Sequence, residues 1–299
     1  MRSITTAFEN VMASKPIISW KTFVWAHHHF DERVKRYAFT KRGREGEFAL
    51  SELVRENLAD RASSSLKAMN CRARIEFCRA ARNVTKAAVK PTPERPAFFL
   101  TLSPDDFVTT AADAERYDWS VLQKWAEELL RGFCYFGIVD AAPYANTPRG
   151  REKVVSWHLH VIVWDASRDE MEALKDSINK RHQSLLPNRD AAHFRVRSSW
   201  KGLRQSLIYM LKAPLKTYRV YAIKGSDKRP TGEYQQKKDW HRSGEAAAVC
   251  RFMHGAEIDK LCVAGLGGRE VLERTAARSI STIRQQDAER LRTLTRFLG

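Results

Sequence analysis

The chain has 299 residues, 43% of them hydrophobic, which is enough for one sizeable core with an accessory region or for two modest domains. Its 52 Lys and Arg residues exceed its 35 Asp and Glu residues by 17, and this excess favours a polyanionic partner, foremost nucleic acid. No apolar run of about 18 residues and no basic-then-apolar leader is present, so we expect no membrane partner and a cytoplasmic, DNA-associated protein.

Residues 1 to 96 are predicted to form a basic, mainly helical region that ends in a proline-rich linker. The closely spaced Pro91, Pro93 and Pro96 cannot continue a helix and favour an extended chain. We therefore predict a domain boundary after residue 96.

Between residues 97 and 222 the patterns of strands and helices alternate. Strands are predicted at 97–103, 134–140, 154–164 and 193–198, and helices at about 118–131, 167–183 and 201–213. This mixture predicts an α+β fold, with a central antiparallel sheet that has helices on one face and leaves the other face for nucleic acid.

Two further regions complete the domain prediction. The stretches 141–153 and 224–230 contain turn residues and charges, and both are predicted to be exposed loops. Residues 223–299 are predicted to form a basic loop followed by a mainly helical C-terminal region. The chain would then have three parts, 1–96, 97–222 and 223–299.

The strand at 154–164 carries the most informative pattern. Because side chains alternate along a strand, His158 and His160 share one face, with backbones roughly 6.6 Å apart, close enough to bind one ion. Asp140, on the strand predicted to pair with it, is the best third ligand, although it could equally cap the turn that follows. Two imidazoles and a carboxylate suit one Mn²⁺ or Mg²⁺ ion, with Zn²⁺ as an alternative.

The helix at 201–213 carries a candidate nucleophile. Tyr209 and Lys212 lie three residues apart beside its apolar stripe, so that a phenol and an ammonium share a surface. The cation would favour the phenolate or counter the charge of a phosphate. The alternative is an ordinary half-buried tyrosine. Tyr218, Tyr221 and Tyr234 compete as nucleophiles, but none stands three residues before a lysine on that helix.

The order of these motifs resembles that of the HUH endonuclease superfamily, in particular its replication initiators and transposases. Phe99–Leu102 is similar to the first family motif, His158–His160 to the histidine motif, and Tyr209–Lys212 to the third. Together they span about the middle two-fifths of the chain. Relaxases have an amino-terminal tyrosine and usually a third histidine, which are not found here. Ala213 stands where a second tyrosine would be expected, so the pattern is that of a single-tyrosine enzyme.

The resemblance implies a ferredoxin-like HUH core and an enzyme that nicks and rejoins single-stranded DNA through a 5′-phosphotyrosine. Tyr209 would be the nucleophile, Lys212 would assist it, and His158, His160 and Asp140 would bind the metal ion. The substrate would be single-stranded DNA or a DNA hairpin at an origin or element end. The chain has no Walker phosphate loop, so unwinding would fall to a host helicase.

Three functions remain open at this point. The size of the basic flanking regions favours a rolling-circle replication initiator of a plasmid, phage or integrated element over an HUH-type transposase of an insertion element. A protein of another class could bind single-stranded nucleic acid on its sheet by charge and stacking, without cutting it. Such a binder would need neither the histidine pair nor the tyrosine.

Other histidines and cysteines are assigned no function. Three adjacent imidazoles cannot all face one ion on a regular element, so the run His27–His29 is predicted to lie on the surface. His241 stands before Cys250, His254 and Cys262, but their spacing matches no short zinc motif.

Overall fold

The computed structural model describes residues 12, 15–40, 65–148, 150, 152–226 and 228–298, without the side chains of residues 297 and 298. Within these ranges the helices are α1 (Trp20–Ala38), α2 (Cys71–Ala88), α3 (Ser120–Leu129), α4 (Arg168–Arg181), α5 (Trp200–Met210), α6 (Ser243–Phe252) and α7 (Gly267–Leu298). The strands are β1 (Ala97–Leu102), β2 (Val108–Thr110), β3 (Cys134–Ala145), β4 (Val154–Trp164), β5 (Ala192–Arg197), β6 (Lys216–Lys224), β7 (Pro230–Trp240) and β8 (Cys262–Gly265). The fold is therefore α+β, as predicted.

The strands form one mixed sheet in the order β5-β1-β4-β3-β6-β7, with β2 beside β4 and β8 beside β3. All pairings are antiparallel except that of β3 with β6, which is parallel at Tyr144–Tyr218 and Ala145–Arg219. The prediction of a purely antiparallel sheet is wrong at this point. The chain leaves β5, passes through α5 and returns on the far side of β3, and such a crossover permits a parallel pair.

Helices contact both faces of the sheet, which corrects the prediction of helices on one face. Trp157 of β4 stacks on Tyr117 at 4.6 Å between ring centroids and meets Phe252 of α6 edge-on. On the opposite face, Tyr209 of α5 contacts His160. The face predicted to be free for nucleic acid is therefore partly covered, and a cleft remains beside α5.

Local sequence explains where the elements lie. The side chains of Ser19, Asn70, Ser167 and Ser199 each accept a hydrogen bond from a backbone N–H in the first turn of α1, α2, α4 or α5. Strand β4 is buried at every position between β1 and β3, which suits its apolar and β-branched residues. Gly137 lets β3 approach β4 closely, because a Cβ atom there would lie 2.7 Å from the carbonyl oxygen of His160.

The predicted elements of the middle region are confirmed, with shifted ends. The helix predicted at 201–213 ends at Met210, and the strand predicted at 134–140 continues to Ala145, so the loop predicted at 141–153 is shorter. Residues 149 and 151 of that loop lie outside the described residues. The stretch 224–230 contains the turn between β6 and β7, with residue 227 also outside them. Strands β2, β6, β7 and β8 were not predicted.

The terminal regions pack on the middle region. Helices α1 and α2 agree with the predicted helical character of residues 1–96, although residues 1–11, 13, 14 and 41–64 lie outside the described residues. Helix α7 confirms the predicted C-terminal helix. One hydrophobic core joins Phe77 of α2, Leu159 of β4 and Val271 of α7. The division at residues 96 and 222 stays a prediction, because shared packing does not test whether each part folds alone.

Two buried histidines hold the segment after α5. His27 is only 3% exposed, so its predicted surface position is wrong. Its Nδ1 donates to the Phe23 carbonyl oxygen at 2.7 Å, and its Nε2 accepts from the Ala213 N–H at 3.1 Å. The Nε2 of His241 donates to the Pro214 carbonyl oxygen at 2.8 Å. Helix α1 and the end of β7 thereby fix the chain next to Lys212.

The burial of these two histidines predicts that the folded protein becomes less stable in acid. Burial lowers the pKa of His27 to about 3 and that of His241 to about 4. Below pH 6.5, the ordinary pKa of histidine, these side chains bind protons in the unfolded chain but stay neutral in the folded protein. The free energy of unfolding should therefore fall as the pH falls. The loss should approach 1.4 kcal/mol per pH unit for each histidine. Urea unfolding between pH 7 and pH 5 measures this slope.

The matched comparison uses two neighbouring histidines of α1. His27→Gln should flatten the pH slope of stability more than His28→Gln does, because of these two rings only that of His27 is buried. Equal slopes in the wild type and His27→Gln would show that the buried imidazole does not cause the acid sensitivity.

Candidate metal centre and tyrosine site

Two adjacent strands bring the three predicted ligands together. Asp140 of β3 pairs directly with His158 of β4, and His160 follows two residues later on the same face. The Oδ2 atom of Asp140 lies 3.8 Å from Nε2 of His158 and 3.9 Å from Nε2 of His160. All three ligand atoms lie within 4.8 Å of one another and are buried. This group could hold a metal ion.

Hydrogen bonds to the other ring nitrogens orient both imidazoles. Nδ1 of His158 lies 3.2 Å from the Ser156 carbonyl oxygen, and Nδ1 of His160 lies 3.1 Å from Thr101 Oγ1. These contacts turn both Nε2 atoms towards Asp140. Among the described residues Nε2 of His160 has no hydrogen-bond partner, and a buried nitrogen in this state suits coordination to a metal ion.

The charge states of the cluster also suit a metal ion. Burial lowers the pKa of His158 and lowers the pKa of His160 well below its ordinary value, so both rings are neutral and can offer a lone pair. The contacts to Asp140 are therefore not ion pairs. Burial by itself would raise the pKa of Asp140, but the charge and hydrogen bond of Lys212, with the charge of Arg74, outweigh it, so the net pKa is lowered and the carboxylate stays charged.

Asp140 lies within β3 and does not precede a turn, which decides against the predicted alternative of a turn cap. Its Oδ1 accepts from the Ala141 N–H at 2.9 Å, while its Oδ2 accepts a hydrogen bond from Nζ of the buried Lys212. Because α5 ends at Met210, Lys212 lies beyond the helix and reaches inward to the carboxylate. The prediction that Lys212 and Tyr209 share a helical surface is therefore wrong for Lys212, which lies beyond the helix and points inward to Asp140.

Tyr209 lies against the histidines. Its ring meets that of His160 edge-on, with centroids 5.2 Å apart, and Nζ of Lys212 lies 4.8 Å from the Tyr209 centroid. Nζ of Lys238 donates to the Tyr209 hydroxyl at 3.1 Å. Burial by itself raises the pKa of Tyr209, but the charges of Lys212 and Lys238 outweigh it, so the net pKa is lowered. The phenol is therefore predisposed to lose its proton.

Lys238 is a site residue that the sequence analysis missed. It lies on β7, a polar edge strand whose Gln and Lys residues show no apolar alternation, so no pattern indicated a strand there. A weak signal existed on its partner β6, where Val220 and Ile223 are β-branched.

The competing tyrosines differ in position from Tyr209. Tyr218 stacks on Tyr144 with ring centroids 4.8 Å apart, and burial together with Tyr209 raises the pKa of Tyr218. Tyr221 is 42% exposed and lies three residues further along β6, so it points to the other face. Tyr209 therefore combines closeness to the histidines with a lowered pKa.

A cleft of about 880 Å³ opens over this cluster and makes it accessible to a large ligand. His158, His160 and Tyr209 line it, with Tyr144 and Arg195 also at its wall. The site thus belongs to a recognisable class: a carboxylate and two imidazoles that could hold a metal ion, beside a phenol with a lowered pKa.

No protein-family model, curated protein or solved structure matches the chain. Across the described ranges, no helix has both the length and the apolar character needed to cross a membrane.

Metal binding at this cluster predicts a change in stability. Mn²⁺ at one hundred times its dissociation constant should raise the free energy of unfolding by about 2.7 kcal/mol, and EDTA should reverse the gain. His160→Gln should lose this response because it removes one of three ligands. His193→Gln, which changes an exposed histidine of the same cleft, should keep it. Thermal unfolding with and without Mn²⁺ measures the response, and a full response in His160→Gln would place the ion elsewhere.

Proposed function

We propose that this protein is a metal-dependent tyrosine endonuclease of the HUH type, which nicks single-stranded DNA and rejoins it. The observation that carries the proposal is the position of Tyr209. Its ring centroid lies 5.2 Å from that of His160, and its hydroxyl accepts a hydrogen bond from Lys238. The nucleophile and the candidate metal ligands thus share one cleft. The three sequence motifs and the net charge of +17 also support the proposal.

The proposed reaction is a transesterification for which this chain supplies the nucleophile and the candidate metal ligands, while solvent exchanges the protons. Tyr209 loses its proton, its oxygen forms a bond to phosphorus, and the bond from phosphorus to the 3′ oxygen breaks. The 3′ oxygen leaves with its electron pair and gains a proton, which leaves the 5′ phosphate on Tyr209. A divalent ion held by Asp140, His158 and His160 would supply Lewis-acid polarisation of the phosphate. Attack by a 3′ hydroxyl on the phosphotyrosine reverses the reaction and joins strands.

The two lysines have different tasks in this scheme. Lys238 holds the Tyr209 hydroxyl and stabilises its ionised form. Lys212 keeps Asp140 charged and in place, and it adds positive charge near the phenol. Lys212 therefore acts mainly as a positioning residue for the carboxylate.

We place the activity in rolling-circle replication of a plasmid, phage or integrated element. The substrate is single-stranded DNA or a DNA hairpin at an origin, and a host helicase unwinds it. The size of the basic regions that flank residues 97–222 in the sequence supports an initiator, since a small single-tyrosine transposase needs little beyond the catalytic part. A transposase acting at the end of an insertion element is the alternative.

The experiment that tests the proposal looks for a covalent protein–DNA adduct. Circular single-stranded phage DNA and a random oligonucleotide pool are incubated with the protein and Mn²⁺, then resolved on denaturing gels. The wild type should form an adduct that EDTA prevents, and Tyr209→Phe should form none because it lacks the attacking oxygen.

Tyr218→Phe is the matched control, since it removes a neighbouring phenol of the same cleft. It should retain the adduct. An adduct that survives in Tyr209→Phe and disappears in Tyr218→Phe would move the nucleophile to Tyr218. Tight DNA binding without any adduct, on substrates that contain the element's own origin, would instead favour a passive single-strand binder.

A further inference from the structure

One wall of the cleft is formed by arginines of β5. In the pairing of β1 with β5, Arg195 lies opposite Phe99 and Arg197 lies opposite Ala97. Phe99 stacks on His160 with centroids 5.5 Å apart, so these arginines lie on the face of the sheet that carries the histidines. Arg189, which precedes β5, also lines the cleft. Two arginines of β5 thus lie on the histidine face, and a third lines the same cleft from the loop before that strand.

These arginines have no ion-pair partner within the described part of the chain. Several arginines elsewhere pair with carboxylates, as in Arg72–Asp287 and Arg79–Glu76. Among the described residues that line the cleft, Asp190 is the one carboxylate, and it offsets a single positive charge.

Arg195 and Arg197 lie two residues apart on one face of β5, and Arg197 is held in place. Burial and the charge of Arg195 lower the pKa of Arg197. Nε of Arg197 donates to Ser206 Oγ at 2.7 Å, which directs this side chain along α5. Like charges gathered in a cleft repel one another unless an anion binds between them. The wall is therefore suited to a ligand with more than one negative charge.

We propose that Arg189, Arg195 and Arg197 form a phosphate-binding subsite for the single-stranded DNA that the cleft receives, an inference that rests on the proposed function. Strand β5 is separated from the histidine strand by β1, so the subsite lies two strand spacings, roughly 10 Å, from the candidate metal centre. It binds a phosphate further along the same strand and leaves the scissile phosphate to the catalytic residues.

Single-stranded DNA fits this cleft better than an acidic polypeptide does. Guanidinium groups match the geometry of phosphate oxygens. Across the cleft, on the far side of the histidines, the stacked rings of Tyr144 and Tyr218 offer aromatic surface. An unpaired base can stack on such a surface, whereas an acidic side chain gains nothing from it.

The experiment measures binding apart from chemistry. All proteins carry Tyr209→Phe and are kept in EDTA, and the fluorescence anisotropy of a labelled oligothymidylate is titrated at several salt concentrations. Arg195→Gln should weaken binding roughly tenfold, since it removes a charged hydrogen bond to phosphate. It should also reduce the slope of log affinity against log salt by about 0.7, the value for one phosphate contact on a single strand. Arg195→Lys should keep the slope.

Arg204→Gln is the matched control, because it makes the same charge change at an exposed position of α5 outside the cleft wall. Arg189→Gln gives a second, independent variant of the subsite, and circular dichroism verifies that each variant is folded. The proposal is overturned if Arg195→Gln and Arg189→Gln both bind like Arg204→Gln. It is also overturned if they lose affinity for polyglutamate but not for the oligothymidylate.

These outcomes are separate from those of the nicking test. Weakened binding in Arg195→Gln supports the subsite even if the wild type forms no covalent adduct. An adduct formed by a protein whose Arg195→Gln and Arg189→Gln variants bind normally supports the endonuclease and refutes the subsite.

Discussion

The pairing of β3 with β4 is the constraint on which the site depends. In this antiparallel register Asp140 faces His158, and His160 follows on the same side. A slip by one residue would turn the carboxylate to the opposite face of the sheet and separate it from both imidazoles. Gly137 permits the close approach that this register requires, because any Cβ there would collide with the backbone at His160.

The second requirement is a buried set of charges that neutralise one another. Asp140 and Lys212 are 4% and 6% exposed, and a carboxylate at such depth without a cation would be strongly destabilising. Lys212 is held within reach of Asp140 because His27 and His241 fix the segment that follows it. Residues far apart in the sequence, from α1 to the end of β7, therefore cooperate to hold one carboxylate in place. This arrangement should make the stability of the folded protein sensitive to acid, since both histidines must stay neutral.

The sequence predicted the elements that carry strong periodicity. Strand β4 was predicted with its observed ends, because an apolar run with alternating histidines allows few other structures. The end of α5 was placed three residues too late, since the apolar stripe continues through Leu211 after the helix has ended. Strand β7 was missed, because a polar edge strand has no apolar face to reveal it. Lys238 was missed with it.

The sequence by itself determined that His158 and His160 share a face, since alternation along a strand is local geometry. It also determined the net positive charge, and it indicated Tyr209 as a candidate nucleophile, which stays a prediction. Only the tertiary structure decided that Asp140 joins the histidines, that Lys212 binds the carboxylate, and that Lys238 binds the phenol. The physical reason is that strand register and chain crossover are set by packing between distant segments, which no local pattern encodes.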